Sequence, residues 1–319
     1  MTVIIHRSQI SEALKEIDII SAIEKGFIEY SNGNSVVPPV AELLFDNPKG
    51  DVHIKYGYIK DDDYYVVKIA SGFYENSKLG IPSSQGLMLL FNQKTGQLVS
   101  VLLDEGFLTD VRTAVAGAIA AKYFAPKKPE AIGIIGTGIQ AKYQLEYLQH
   151  ITDCRTVWIW GRNIAHAKQF KSSLSTGPWT VHIGQNPSEI AKQCKLIVTT
   201  TPAEESLLKV CDILPGTHIT AVGSDTSIKQ ELDSQILADA DIVISDSIAQ
   251  SRSRGEIYQA RQNSLIADDH VIELGMALQH NKYQRQNDKQ ITVVDLTGVA
   301  VQDIMIAKAV YLSHLNKNN

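Results

Sequence analysis

The stretch IGIIGTGIQAKYQLEYL, from Ile132 to Leu148, decides the fold because a glycine-broken turn joins a short apolar run to a helical pattern. The six residues from Gly136 to Ala141 fit the spacing G-x-G-x-x-A. In this motif the first glycine permits a tight turn, the second lets a pyrophosphate approach the backbone, and the small third residue lets helix and strand pack closely. The free N–H groups and dipole of the helix N-terminus favour phosphate. The motif predicts a dinucleotide-binding βαβ unit, and glycines serving packing alone are the less favoured alternative.

Strand and helix patterns alternate from Ala131 onward. The apolar runs are AIGIIG, TVWIWG, LIVTTT, HITAVG, DIVISD and ITVVDL. Such runs, separated by helical segments, are typical of a parallel sheet covered on both faces. The predicted fold class is therefore α/β, with a Rossmann-type doubly wound parallel sheet. The interval from Asp246 to Gln290 shows no clear pattern.

The first third of the chain predicts an α+β arrangement. Residues 8–30 indicate one helix with Ser8 as its N-cap, and strand-like runs follow at DVHIKYGYI, YYVVKIASGFY and GLMLLFNQKTGQLVSVLLD. The last run predicts a hairpin around residues 92–96. In DVHIKYGYI, alternation places four apolar side chains on one face: Val52, Ile54, Tyr56 and Tyr58. An alanine-rich helix is predicted over 109–124, and we expect the last helical segment, VAVQDIMIAKAVYLSHL, to pack on the first domain.

Composition narrows the class of protein. The chain has 319 residues, a net charge of −5 and no Lys/Arg cluster, which argues against a nucleic-acid partner. No run approaches the roughly 20 apolar residues that cross a bilayer, so no membrane partner is expected. Three scattered cysteines, Cys154, Cys194 and Cys211, indicate buried reduced thiols, and with no signal-peptide pattern we expect a cytoplasmic protein. No His/Cys/Asp cluster has metal-ligand spacing, so no metal is expected.

Two cationic residues are candidates for substrate binding. Arg112 falls in the first turn of the predicted 109–124 helix, where an anion would be held by both the guanidinium and free N–H groups. The equally favoured alternative is a salt bridge to Asp104, Glu105 or Asp110. Lys68, within YYVVKIA, is either a cation facing a ligand or an edge-strand lysine that prevents aggregation, and the residues alone favour the edge strand.

Other polar residues follow predicted strands. Asp225 comes after HITAVGS at a carboxyl end, where ligands of doubly wound sheets bind, although a helix cap is the simpler interpretation. Asp295 and Thr297 follow ITVVDL with the same ambiguity. His53 and Lys55 project from DVHIKYGYI opposite its apolar face, and a lone histidine is more often structural.

The residues that follow the strand-like run TVWIWG indicate which nicotinamide cofactor is preferred. Arg162 and Asn163 stand where an acidic residue would usually accept hydrogen bonds from the ribose hydroxyls of NAD. An arginine there pairs with a 2′-phosphate, which favours NADPH over NADH. A solvated surface arginine is the alternative.

Several segments together resemble the ornithine cyclodeaminase/μ-crystallin family over nearly the whole chain. They are VVKIASGFYEN, LTDVRTAVAGAIAAKYFA, IGIIGTGIQA, HITAVGSDTSIKQELD and TGVAVQDI. GDVHIKYGYI and VVDLTGVAVQD are most similar to the bacterial Δ1-pyrroline-2-carboxylate reductases of this family. The resemblance implies a homodimer, with residues 1–112 and 299–319 as substrate-binding and dimerisation domain and residues 113–298 as the dinucleotide-binding domain.

The resemblance also implies roles for residues. Lys68 and Arg112 would hold the substrate carboxylate, and Lys68 and Asp225 would be catalytic, with Asp225 acting at the substrate nitrogen. The implied cofactor-binding residues are Gly136, Thr137, Gly138, Ile139, Gln140, Arg162, Asn163 and Thr113. One departure matters, because Lys55 is aligned with the catalytic glutamate of the cyclodeaminases and no acidic residue follows until Asp61.

The resulting hypothesis is an NAD(P)H-dependent imine reductase of proline metabolism. It would convert Δ1-pyrroline-2-carboxylate to L-proline, with Δ1-piperideine-2-carboxylate to L-pipecolate as a second reaction. The alternatives are an ornithine cyclodeaminase, an alanine- or alkylamino-acid dehydrogenase, and a non-enzymatic μ-crystallin-like NADPH-binding protein.

Overall fold

The computed structural model describes residues 2–318. Its strands are β1 (Val3–His6), β2 (Ser35–Val36), β3 (Ala41–Asp46), β4 (Lys49–Ile59), β5 (Tyr64–Phe73), β6 (Ser84–Asn92), β7 (Leu98–Leu103), β8 (Ile132–Ile135), β9 (Thr156–Trp160), β10 (Thr180–Ile183), β11 (Leu196–Thr199), β12 (His218–Ala221), β13 (Ile242–Ser245), β14 (Val271–Glu273) and β15 (Thr292–Asp295). Its α-helices are α1 (Arg7–Leu14), α2 (Ile19–Ser31), α3 (Phe107–Phe124), α4 (Ile139–Leu148), α5 (Ile164–Ser173), α6 (Pro187–Gln193), α7 (Ser234–Asp239), α8 (Glu256–Gln262), α9 (Leu274–Gln279) and α10 (Ala300–Asn318). Of the helices in this described range, none has both the length and the apolar character that a bilayer crossing requires.

The chain divides into two compact units. One runs up to Arg112 and takes in the segment from Val299 onward, and the other is Thr113–Gly298. The boundary in sequence therefore falls inside α3. Each unit has its own sheet.

The first unit contains a seven-stranded sheet in the order β1-β7-β6-β5-β4-β2, with β3 also pairing with β4. All neighbours are antiparallel except β1 and β7. The predicted hairpin joins β6 to β7, where the Asn92 side chain accepts hydrogen bonds from the N–H groups of Lys94 and Thr95 and Gly96 has φ 70°. Helix α10 packs against α2, β4 and β5 of this unit.

The single helix predicted over residues 8–30 is wrong, because two helices occupy this range. Helix α1 begins at Arg7, with His6 and not Ser8 as its N-cap. Helix α2 begins at Ile19 because the Asp18 carboxylate accepts a hydrogen bond from the N–H of Ser21 at 3.1 Å, which starts a new helix. Helix α3 also begins two residues earlier than predicted, at Phe107.

The two faces of the first sheet have an unexpected polarity. Alternation along β4 is as predicted, but the buried face is the one that carries Lys55, which is 7% exposed, and Ile59. Directly opposite neighbours continue this buried face through Lys68 and Met88. The apolar face that holds Tyr56 is partly open, so the sequence pattern predicts the alternation but not which face is covered.

The second unit contains an eight-stranded sheet in the order β10-β9-β8-β11-β12-β15-β13-β14. Every pair in it is parallel. Strands β8, β11, β12, β13 and β15 are buried at every position, which means that both faces are covered. All six strands predicted from Ala131 onward are present, and β10 and β14 are additional.

The sheet core explains part of the cysteine pattern. Cys194 is buried with Ile197 and Ile219 in a hydrophobic cluster of the second unit. All three cysteines are free, but Cys154 is only partly buried and Cys211 is exposed. The expectation of buried thiols is therefore right for Cys194 alone.

Candidate active site

Lys68 lies in the interior of the first sheet. Strand β5 has β4 on one side and β6 on the other, and Lys68 is 2% exposed. Its Nζ lies 3.3 Å from Oδ2 of Asp303, which is itself fully buried. The edge-strand interpretation of Lys68 is therefore wrong, because this lysine is a buried cation in a central strand.

Arg112 reaches the same carboxylate. Its Nε lies 3.2 Å from Oδ1 of Asp303, and its Nη1 donates a hydrogen bond to Oε1 of Gln302 at 2.9 Å. Because α3 begins at Phe107, Arg112 stands in the second turn and not the first. The ion-pair partner of Arg112 is therefore a carboxylate on α10 and not one of the carboxylates close to it in sequence.

Of those nearby carboxylates, Asp104 has another role. Its Oδ2 accepts a hydrogen bond from the N–H of Leu108 at 2.8 Å, at the start of α3. Burial raises the pKa of Asp104.

Two more titratable residues share the face of Lys68. Lys55 is directly opposite Lys68 in the β4–β5 ladder, and His53 is two residues before it. Nε2 of His53 lies 3.7 Å from Oε1 of Glu42. Burial lowers the pKa of Lys68 to about 7, and the charges of Arg112 and Lys55 act in the same direction, whereas Asp303 opposes them.

The glycine turn stands at the switch point of the second sheet, where β8 lies between β9 and β11. Gly136 has φ 130°, and a Cβ there would collide with Oγ1 of Thr200 after β11. Gly138 has an extended backbone and is the N-cap residue of α4, where it has no side chain to occupy the helix N-terminus. A Cβ on Gly138 would meet no described atom within 4 Å, and Ala141 is fully buried.

This geometry fits a dinucleotide. The space above Gly138 leaves the backbone at the start of α4 open to a pyrophosphate, which the N–H groups of that helix can bind.

The other predicted cofactor-binding residues differ in their contacts. Arg162 follows β9 and is exposed, so a ligand could approach its side chain from solvent. The Asn163 side chain instead caps α5 by accepting from the N–H of Ala165 at 2.8 Å. The carbonyl of Thr113 accepts a hydrogen bond from Nε2 of Gln144 at 3.2 Å, so the structure gives both residues local roles.

Asp225 follows β12 at the carboxyl end of the sheet. Its Oδ1 is 2.7 Å from Nζ of Lys229, and its carbonyl accepts from Nη1 of Arg254 at 3.4 Å. The next helix, α7, is capped by Asp233. The helix-cap interpretation of Asp225 is therefore wrong, because its carboxylate pairs with a lysine within the same loop.

Two buried carboxyl groups accept hydrogen bonds from residues in the neighbouring loops. Glu231 accepts hydrogen bonds from Oγ1 of Thr199, from N and Oγ1 of Thr201, and from the N–H of Gly223. Glu256 in turn accepts from the N–H groups of Glu231 and Leu232. Burial raises the pKa of Glu231 to about 7 and that of Glu256 well above its usual value.

Asp295 and Thr297 belong to the same region. Oδ2 of Asp295 accepts from the N–H of Ile257 at 2.9 Å, and burial raises its pKa to about 8. Thr297 donates through N and Oγ1 to Asp246, at 3.1 and 3.0 Å. These two residues therefore serve the fold of the carboxyl-end loops.

The sequence pattern missed Asp303 and the buried glutamates. A signal for Asp303 exists, because Ile306, Ala307 and Val310 follow it at helical spacing and are all fully buried. A carboxylate in line with such positions must face the interior and needs a cationic partner. No comparable signal marks Glu231, whose partners lie on separate loops.

The parallel sheet with a glycine turn at its switch point defines a Rossmann-type dinucleotide-binding α/β protein. The chain belongs to the ornithine cyclodeaminase/mu-crystallin family, which it matches over residues 1–318. The predicted family and the predicted fold class are both confirmed.

Three similar proteins illustrate the range of this family. A protein named as an uncharacterized cyclodeaminase from Sinorhizobium fredii is 36% identical over 295 residues, 92% of this chain and 89% of that protein. An archaeal alanine dehydrogenase dimer with bound NAD has a TM-score of 0.90 and 32% identity, with 100% of this chain and 97% of that one covered. The Δ1-pyrroline-2-carboxylate reductase of Thermococcus litoralis, in complex with NADH and L-proline, has a TM-score of 0.92 and 28% identity, with 99% and 98% covered.

Proposed function

We propose that this protein is an NAD(P)H-dependent reductase of cyclic imines that carry a carboxylate beside the C=N bond. Its main reaction would convert Δ1-pyrroline-2-carboxylate to L-proline, and Δ1-piperideine-2-carboxylate to L-pipecolate would be a second reaction. The observation that carries the proposal is the convergence of Lys68 and Arg112, from separate elements, on one buried carboxylate. Two cations that meet at one carboxylate would also suit the binding of a substrate's acid group.

The first unit would act as the substrate-binding domain. Arg112 and Lys68 would bind the substrate carboxylate and fix the orientation of the ring, and positioning of this kind can supply a large part of a rate enhancement. A protonated imine is a better electrophile, and Asp225 would stabilise that charge or relay the proton. Asp225 keeps about a third of its side chain exposed, which leaves it accessible.

Residues 113–298 would bind the nicotinamide cofactor, which supplies the two electrons of the reduction when bound. The turn from Gly136 to Gln140 would hold the pyrophosphate, with Thr113 and Asn163 at its border. Arg162 supports a preference for NADPH, because its exposed guanidinium can pair with a 2′-phosphate. NADH would be the weaker alternative.

A homodimer is also part of the proposal. The open face of the first sheet carries a continuous apolar row across five adjacent strands, made of Tyr56, Val67, Leu89, Val101 and Ile4. Tyr56 is 37% and Ile4 55% exposed. A second copy of this chain would cover the row, and the similar archaeal alanine dehydrogenase is described as a dimer.

Ornithine cyclodeaminase remains the second candidate, because the 36% identical relative bears a cyclodeaminase name. Lys55 argues against it, since it is aligned with the catalytic glutamate of those enzymes. A cyclodeaminase would form proline and ammonia from ornithine without any external reductant. The reductase would require NADPH or NADH and a preformed imine.

A substrate panel tests the proposal. NADPH and NADH oxidation is followed with pyrroline-2-carboxylate, with piperideine-2-carboxylate, and with pyruvate plus methylamine, beside an ornithine-only reaction assayed for ammonia. The expected result is fastest turnover with a cyclic imine and NADPH. Ammonia release from ornithine alone would establish the cyclodeaminase, and activity restricted to pyruvate with an amine would establish an amino-acid dehydrogenase. Absence of turnover despite tight NADPH binding would favour a binding protein.

A further inference from the structure

We infer that Asp303 is a positioning residue, a buried counter-charge on α10 that holds Lys68 and Arg112 together and keeps the lysine protonated for substrate binding. The inference rests on the proposed function, in which these two cations bind the substrate carboxylate. Asp303 itself would not touch the substrate.

The two oxygens of Asp303 serve different cations. Oδ2 lies 3.3 Å from Nζ of Lys68, and Oδ1 lies 3.2 Å from Nε of Arg112. The side chain of Asp303 is fully buried, and those of Lys68 and Arg112 are 2% and 6% exposed. One carboxylate therefore fixes the separation of two cations that come from β5 and α3.

Gln302 reinforces the guanidinium from the adjacent position. Its Oε1 accepts from Nη1 of Arg112 at 2.9 Å and from the N–H of Val299 at 3.1 Å, and its Nε2 donates to the carbonyl of Arg112 at 3.3 Å. Gln302 thus fixes the direction of Arg112 through hydrogen bonds. Asp303 adds charge, because within the described chain its oxygens form ion pairs but no hydrogen bond of adequate geometry.

The surroundings of Lys68 make this counter-charge important. Lys55 and His53 face it from β4, Arg112 from α3, and Asp104 from the loop after β7. Strand β6 places Met88 opposite Lys68 and carries no charged residue.

The balance of these effects is visible in the pKa of Lys68. Burial, Arg112 and Lys55 lower the pKa of Lys68 to about 7, and Asp303 is the opposing charge. Without Asp303 the pKa would fall further. The protonated fraction of the lysine near neutral pH would then fall, and with it the attraction for a carboxylate.

The inference is tested with Asp303→Asn, with Asp303→Glu as the conservative variant and Asp62→Asn as the matched control. Asp62 is another carboxylate that pairs with α10, through Lys308 at 2.7 Å, and it lies in the turn between β4 and β5. The pH dependence of KM and kcat is measured with pyrroline-2-carboxylate, and L-proline affinity is measured in parallel. For Asp303→Asn we expect KM to rise at least tenfold at pH 7.5 and to recover toward pH 5.5, while kcat and NADPH affinity change little. Asp303→Glu should recover part of the affinity, and Asp62→Asn should behave as wild type.

A second readout does not depend on activity. NMR of protein labelled with [13Cε]lysine, with Lys68→Met for assignment, reports the titration midpoint of Lys68 directly. We expect a midpoint near pH 7 in wild type and a lower one in Asp303→Asn, even if the enzyme proves not to be an imine reductase. A KM defect of equal size at every pH, or an unchanged midpoint, would show that Asp303 only supports packing. If Asp303→Asn cannot be purified, Asp303→Ser removes the same charge, and an unshifted Lys68 midpoint in that variant overturns the inference.

Discussion

Replacing Asp295 by asparagine should change the pH dependence of stability rather than stability itself. Asp295 is fully buried, and burial, assisted by the negative charge of Asp246, raises its pKa from 3.8 to about 8. Between these pKa values the folded state holds a proton that the unfolded state has released, so the free energy of unfolding falls as pH rises. A shift of about four pKa units corresponds to an upper figure of about 5–6 kcal/mol. Burial also raises the pKa of Glu231 to about 7 and that of Glu256 well above its usual value, and both acids interact electrostatically within this group, so they share part of this change.

Asparagine has the shape of the protonated acid but does not titrate. Between pH 5 and 8 we expect the free energy of unfolding of wild type to fall by at least about 2 kcal/mol more than that of Asp295→Asn. Urea unfolding followed by tryptophan fluorescence is the assay, because all three tryptophans lie in the second unit. Asp241→Asn is the control, since Asp241 is exposed and accepts from the N–H of Ile291 at 2.7 Å. Parallel pH curves for wild type and Asp295→Asn would refute the reasoning.

Four further predictions concern the glycine turn, the cofactor and the dimer. Gly138→Val should leave the free energy of unfolding within about 1 kcal/mol of wild type but weaken NADPH binding at least about tenfold in calorimetry, because its side chain would fill the space for the pyrophosphate. Gly136→Ala should instead cost about 1–3 kcal/mol in urea unfolding, since φ is 130° and the new Cβ would meet Thr200; equal stability of the two variants would contradict this difference. Arg162→Ser should lower kcat/KM for NADPH about 10- to 100-fold and leave that for NADH nearly unchanged, and a parallel loss for both cofactors would remove the argument for a 2′-phosphate. Val67→Glu should yield a monomer in sedimentation velocity, and a persistent dimer would place the interface elsewhere.

Local patterns were enough to predict six of the eight strands of the second sheet. The apolar runs and the glycine spacing are features of neighbouring residues, and they give the same parallel sheet that the structure contains. Two short strands escaped, because β10 alternates weakly and β14 has only three residues. Each of them pairs at one edge of the sheet that the other strands form, and a local sequence pattern does not predict such pairing.

The first unit shows where local reasoning ends. Alternation in β4 is visible in the sequence, but the covered face depends on α10, which arrives from the far end of the chain. For the same reason the residues around Arg112 could not reveal its partner, since Asp303 is close only after folding. The residues around Lys68 favoured an edge strand, because whether a strand lies at the edge or in the centre of its sheet is decided by the tertiary fold.

Recognition of a carboxylate by Lys68 and Arg112 is the central claim, and the most direct measurement compares pyrroline-2-carboxylate with 1-pyrroline, which lacks the acid group. With NADPH the wild-type ratio of the two kcat/KM values should be at least about 10³, because two charge-assisted contacts are involved. The ratio should collapse in Arg112→Ala and in Lys68→Met, with Arg112→Lys intermediate and NADPH affinity preserved throughout. A wild-type ratio near one, or a large ratio that both variants retain, would contradict the account.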